Sequence, residues 1–140
     1  MSDLIRRPRR NRKSEAIRAM VEETKVTADD LIFPLFLIDG TNKKIEVGSM
    51  PGIFRLSQDQ MLKEIETCLK AGVRAFDVFP AVEDQHKDKM ATKSHDPNFF
   101  YLKTLREIKK QFPEACIITD VAMDPYSSDG HDGVVKGGRV

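Results

Sequence analysis

The chain has 140 residues, enough for one domain with its own hydrophobic core. Hydrophobic residues make up 40% and charged residues 32%, the balance of an ordinary soluble globular protein. A formal net charge of +1 sets no demand for an acidic partner, although Arg6, Arg7, Arg9, Arg10, Arg12 and Lys13 crowd the start. The two cysteines, Cys68 and Cys116, stand far apart and give neither a metal spacing nor a disulfide framework. They fit a reducing compartment. No apolar run approaches the ~20 residues of a membrane span. The basic start has no apolar stretch behind it, which argues against a signal peptide. Glu15, Glu22 and Glu23 follow too soon for an acid-poor mitochondrial presequence, so cytoplasm is the expected location.

Residues 1–13 read as an extended polar arm, with Pro8 inside it. Ser14 is placed to cap a short helix, and Ala16, Ile17, Met20 and Val21 recur at the spacing of one apolar face. Leu31 to Ile38, LIFPLFLI, is a run suited to a strand buried on both faces of a parallel sheet. Pro34 argues against this, because proline removes a ladder donor. Asp39-Gly40 ends the strand. Residues 41–56, punctuated by Gly48, Pro51 and Gly52, are expected to be irregular.

Ser57 opens the clearest helix, and Gln60 three positions on completes the pattern of a capping box. Met61, Leu62, Ile65 and Leu69 form its buried stripe, and Gly72 is its C-terminal stop. Val73 to Phe79, VRAFDVF, is a second strand closed by Pro80. Residues 81–95 are polar and read as a mobile loop. Asp96-Pro97 is a helix-start signal. Tyr101, Leu105, Ile108 and Phe112 make the next stripe, and Pro113 stops it. Ala115 to Thr119, ACIIT, is a third strand. Strands alternating with helices need parallel pairing and crossovers. The order fits either a piece of a (β/α)₈ barrel or a small doubly wound sheet. No Gly-rich nucleotide loop follows any of these strands, which weakens the dinucleotide form of the second reading.

The stretch richest in chemistry is Thr119 to Gly133, TDVAMDPYSSDGHDG. It follows the third strand directly, and ligands meet parallel α/β folds at the carboxyl ends of strands. Asp120, Asp124, Asp129, His131 and Asp132 put five titratable groups within thirteen residues. Gly130 and Gly133 allow a tight path around them. Spacing alone leaves two readings open: a hard-cation site, or a solvated turn rich in Asp and Gly.

This stretch resembles the active-site loop of delta-aminolevulinic acid dehydratases, also called porphobilinogen synthases. The resemblance extends over RPRR at Arg7–Arg10, DLIFPLF at Asp30–Phe36 and SMPG at Ser49–Gly52, and on past Gly133. Several separated matches in the right order are more specific than any one motif. The resemblance implies a (β/α)₈ barrel preceded by an N-terminal arm that wraps a neighbouring subunit of a homo-oligomer. On this reading, residues 1–29 are the arm with its short helix. Residues 30–140 are then the first part, about three βα units, of an incomplete TIM-barrel domain. The implied reaction condenses two molecules of 5-aminolevulinate into porphobilinogen with loss of two waters, a step of tetrapyrrole and heme synthesis. The family binds its substrates as Schiff bases on two lysines in later strands, where a desolvated lysine is a suitable nucleophile.

Zinc-using members of the family place three cysteines in this loop, spaced C-x-C-x₇-C. The matching positions here are Ala122, Asp124 and Asp132. Thiolates select zinc, whereas carboxylates prefer hard cations such as Mg²⁺. Mg²⁺ on Asp124 and Asp132 is therefore expected, and cysteine-bound Zn²⁺ is not. Some members of this type work without an active-site metal, and the two aspartates then hold waters or a substrate ammonium instead. Asp120 matches an aspartate beside the Schiff-base site and is expected to orient or relay a proton. Phe79 matches a strand-end aromatic that lines the substrate pocket. Tyr126 is expected to pack under the loop, and His131 either joins the loop's network or is structural. Two departures stand out. Asp129 occupies a position where many members have histidine, and TKSHD at 92–96 replaces a common Ser-Glu-Ala-Tyr-Asn stretch.

Two rival readings are weighed. The basic start invites a nucleic-acid-binding module, since Lys and Arg neutralise phosphates. It carries no aromatic stacking partners, so nucleic acid is not expected, and neither is a membrane. Another metal-dependent barrel aldolase would have to share SMPG and DLIFPLF by chance. A full barrel needs roughly 250 residues. The chain stops at Val140 in KGGRV, before the family's lysines, and Lys136 matches neither of them. The expectation is a fragment that is inactive alone.

Overall fold

A computed structural model describes residues 9–140. Residues 1–8, which include Arg6 and Arg7 of the expected arm, lie outside the described residues. Helix α1 (Glu15–Met20) starts at Ser14, whose Oγ accepts from the Ile17 N–H at 3.3 Å. This satisfies one of the donors that every helix start leaves open. The apolar stripe of α1 buries nothing, and Met20 is 84% exposed.

Among the described residues, β1 (Ile32–Leu37), β2 (Lys44–Glu46), β3 (Phe54–Leu56), β4 (Ala75–Pro80) and β5 (Cys116–Thr119) form one mixed sheet in the order β2-β3-β1-β4-β5. Strand β1 (Ile32–Leu37) pairs in parallel with β4 (Ala75–Pro80) along its whole length. Strand β5 (Cys116–Thr119) pairs in parallel with β4. Strand β3 (Phe54–Leu56) reaches only Phe36 and Leu37 of β1, so the β3 side of Pro34 is unpaired. That open flank is where a strand tolerates proline.

Residues 41–56 are not the irregular excursion expected. Strand β2 (Lys44–Glu46) and β3 form an antiparallel hairpin around the turn at Gly48–Gly52. Strands of three residues are too short to show an alternation in sequence.

Helix α2 (Gln58–Lys70) starts at Ser57, but the capping box is absent. The Ser57 hydroxyl accepts from the Lys43 N–H at 2.9 Å and donates to Asp59 Oδ1 at 2.6 Å. The Gln60 amide donates to Asn42 Oδ1 at 2.7 Å. Both side chains thus tie the helix start to Asn42 and Lys43, just before β2, and neither closes a capping box on the helix backbone. The C-terminal stop is as expected. Gly72 takes φ +95°, its N–H donates to Leu69 O, and the Val73 N–H donates to Cys68 O. These paired bonds satisfy the last carbonyls of the helix.

Helix α3 (Phe100–Gln111) begins three residues beyond Pro97. Asp96 instead closes its own turn, accepting from the Asn98 N–H at 2.9 Å. Asp and Asn often prefer such local bonds to helix formation. Lys109 ends α3 by donating to Pro113 O and Ala115 O at 2.8 and 2.7 Å.

Alternation gives the sheet two unlike faces. Leu35, Leu37, Phe76 and Val78 point to one side and pack with Met61 and Ile65 of α2 and with Tyr101 and Ile108 of α3. Fully burying one such side chain contributes about 1.5–3 kcal/mol. The other face carries Ile32, Pro34, Phe36, Ala75, Asp77, Phe79, Cys116 and Ile118, and none of these is fully buried. Among the described residues, no helix is long and apolar enough to cross a membrane.

Candidate active site

Because β1, β4 and β5 run parallel, their carboxyl ends share one rim. Phe79 lies near the end of β4, and Asp120 directly follows β5. Phe79 pairs in register with Phe36, and their rings stack 5.6 Å apart at 27°. Both belong to the open face, so Phe79 is not part of the helix-side core. Asp120, just past the end of β5, is exposed. It also sits on the edge of a cleft beside α3, with Tyr101, Thr119, Met123 and Tyr126.

The Tyr101 hydroxyl donates to Val78 O at 2.7 Å and anchors α3 to the end of β4. Burial pushes this hydroxyl up to about 12, and the charges of Asp77 and Asp120 add to the shift. Tyr126 packs under the loop as expected, 4% exposed and against Phe99 and Tyr101. Burial pushes its hydroxyl up as well.

The loop after β5 is closed by Asp132. Its Oδ1 accepts from the Met123 N–H at 2.8 Å and from the Asp124 N–H at 3.1 Å. Asp132 therefore meets the backbone of Asp124. The structure does not gather Asp120, Asp124 and Asp132 into a cation cage. Among the described residues, no group of three or more His, Cys, Asp or Glu side chains could hold a metal. The donors present are oxygen, the type hard cations prefer, but one of them is already committed to two N–H groups. These residues alone do not make a complete metal site. His131 is exposed. Asp129 Oδ2 is buried without a hydrogen-bond partner among the described residues.

Two residues escaped the sequence reading. Asp77 sits mid-strand in VRAFDVF, on the open face, with Oδ1 buried and unpartnered among the described residues. A carboxylate inside an apolar run was the available signal, because buried polar groups without partners are rare. Asp88 lies in the loop expected to be mobile. That loop holds two short 3-10 turns, and its Ala91 is 1% exposed. Asp88 hydrogen-bonds to residues of the loop after β5, a contact that no local pattern announces.

Residues 5–140 match the family model of delta-aminolevulinic acid dehydratase. The chain belongs to that family. A delta-aminolevulinic acid dehydratase of Bradyrhizobium diazoefficiens is 46% identical over 138 residues, covering 99% of this chain and 39% of that protein. One from Chlamydia pneumoniae is 46% identical, covering 98% of this chain and 41% of the relative. The crystal structure of the Toxoplasma gondii delta-aminolevulinic acid dehydratase, solved with its reaction product porphobilinogen, superposes with a TM-score of 0.87 at 42% identity. It covers 96% of this chain, which spans 38% of that one. Family membership over nearly the whole chain leaves the nucleic-acid module and the unrelated aldolase without support.

Proposed function

We propose that this chain is the first part of a porphobilinogen synthase, which joins two 5-aminolevulinate molecules with loss of two waters. The observation that carries the reading is the Asp120 loop at the carboxyl end of the third parallel βα strand, in a chain of this family. The open face of the sheet and the outer edge of β5, unpaired among the described residues, suit a barrel of eight βα units continued by later strands. Here Asp120 holds or passes a proton beside the reacting groups, and Phe79 lines the pocket and excludes water. No lysine of this chain matches the family's Schiff-base pair, so the 140 residues alone form no product.

A hard cation such as Mg²⁺, rather than cysteine-bound Zn²⁺, suits the oxygen donors Asp124 and Asp132. Its remaining ligands would come from outside these residues. Arg9, Arg10 and Arg12 belong to an arm that pairs with carboxylates of a neighbouring subunit in a homo-oligomer. Free Cys68 and Cys116 suit the cytoplasm. The test is porphobilinogen formation by the complete gene product given 5-aminolevulinate. Production that falls about a hundredfold when Asp120 becomes Asn supports the reading. A folded complete protein that forms no porphobilinogen, with or without Mg²⁺, overturns it.

A further inference from the structure

Backbone hydrogen bonds tie the loop after β4 to the loop after β5 at Asp88. The Asp88 N–H donates to Tyr126 O at 3.2 Å, and the Ser128 N–H donates to Asp88 O at 3.1 Å. Together they form a parallel bridge between Asp88 and Ser127. The side chain works inward on its own loop. Its carboxylate accepts from the Met90 N–H at 2.8 Å, from the Thr92 N–H at 3.3 Å, and from the Thr92 hydroxyl. These bonds span Ala91, a non-glycine residue held at φ +52° and almost fully buried. A side chain in the left-handed region persists only where its surroundings over-determine it. The Thr92 hydroxyl, the largest cause, holds the Asp88 carboxyl below its usual range. The same loop is pinned a second time where His86 meets the edge of Phe99, which contacts Tyr126.

We propose that Asp88 is a positioning residue: its carboxylate sets the 88–92 turn, and its backbone docks that turn on Tyr126–Ser128, so the Asp120 loop is held in place by the loop after β4. The inference rests on the proposed function only for its catalytic consequence. The clasp itself is a statement about structure. Asp88 touches no reacting atom. It acts through the placement of 120–132, where small displacements cost large factors in rate.

The test uses the complete gene product carrying Asp88→Ala, Asp88→Asn or Thr92→Val. Amide hydrogen exchange across 120–130 is measured beside kcat and KM for porphobilinogen formation. In Asp88→Ala, exchange across 120–130 quickens and kcat falls on the order of tenfold, with KM changed far less. Asp88→Asn keeps an acceptor oxygen and recovers most of both. Thr92→Val, which removes one donor, moves both in the same direction by less, and it serves if Asp88→Ala does not fold. Unchanged exchange in 120–130 overturns the clasp. Quickened exchange with unchanged kcat overturns its link to catalysis. If the unaltered protein makes no porphobilinogen while exchange still responds to Asp88→Ala, the proposed reaction fails and the clasp stands.

Discussion

The two faces of the sheet carry similar residues and have opposite fates. On one, Phe76 and Val78 are fully buried beneath α2 and α3. On the other, Phe36 and Phe79 stack on each other, and Ile32 is 57% exposed. Apolarity alone therefore does not say which phenylalanine is core and which stands on the open face. The difference lies in which face a helix covers. Asp77 shares the open face, with one carboxylate oxygen buried and unpartnered among the described residues.

This contrast can be broken in four ways, each in the complete gene product. The largest effect belongs to Phe76→Ala, expected to cost about 3–5 kcal/mol in denaturant unfolding. A cost under about 1 kcal/mol would mean that the helix side is not the core. Next comes Asp120→Asn, expected to lower kcat by about a hundredfold at nearly unchanged stability. A large loss of stability without a kinetic effect would make Asp120 a structural cap. Phe79→Ala, on the open face, is expected to lower kcat/KM about tenfold and to cost less stability than Phe76→Ala. Equal stability costs at the two positions would erase the distinction.

The smallest effect is Tyr101→Phe, which removes the bond to Val78 O and costs about 1 kcal/mol. Tyr101 also gives the comparison a pH signature. Its hydroxyl is raised from 10.0 to about 12 in the folded chain, so the neutral form is favoured by folding. Its contribution is present in full below 10.0 and is lost as pH rises through about 12. Tyr101→Phe should flatten the alkaline limb of a stability profile, and an unchanged limb would assign that limb to other groups. The acid side runs the other way. Asp59, Asp88 and Asp96 are all held below the usual carboxylate range by hydrogen bonds, led by those from Ser57, Thr92 and Lys93. Their contribution is present above the unfolded value and fades as pH falls through the folded one.

Much of the frame was legible in the residues. β1, β4 and β5 showed as apolar runs, and α2 and α3 as apolar stripes over three or more turns. Gly72 was legible because only a positive φ closes that helix end. The capping box was not, because Ser57 and Gln60 found partners in a hairpin that the fold brings beside them. The hairpin itself was hidden by strands too short for a period. Asp120 and Phe79 were expected as site residues through the family resemblance, and the one follows β5 directly while the other lies near the end of β4. Asp88 was not, because its partners Tyr126 and Ser128 lie on another loop, joined to it only by folding.

Cys116 stands on the uncovered face at the start of β5, exposed to solvent. It is a built-in chemical reporter. On the proposed reading, a maleimide should label it quickly on the separate 140-residue segment and slowly in the complete gene product, where later strands would roof that side. Half-buried Cys68, whose thiol burial pushes up, is the internal standard that should react slowly in both. The ratio of the two labelling rates would then read, in a single tube, whether the wall that Phe79 and Asp77 share has been enclosed.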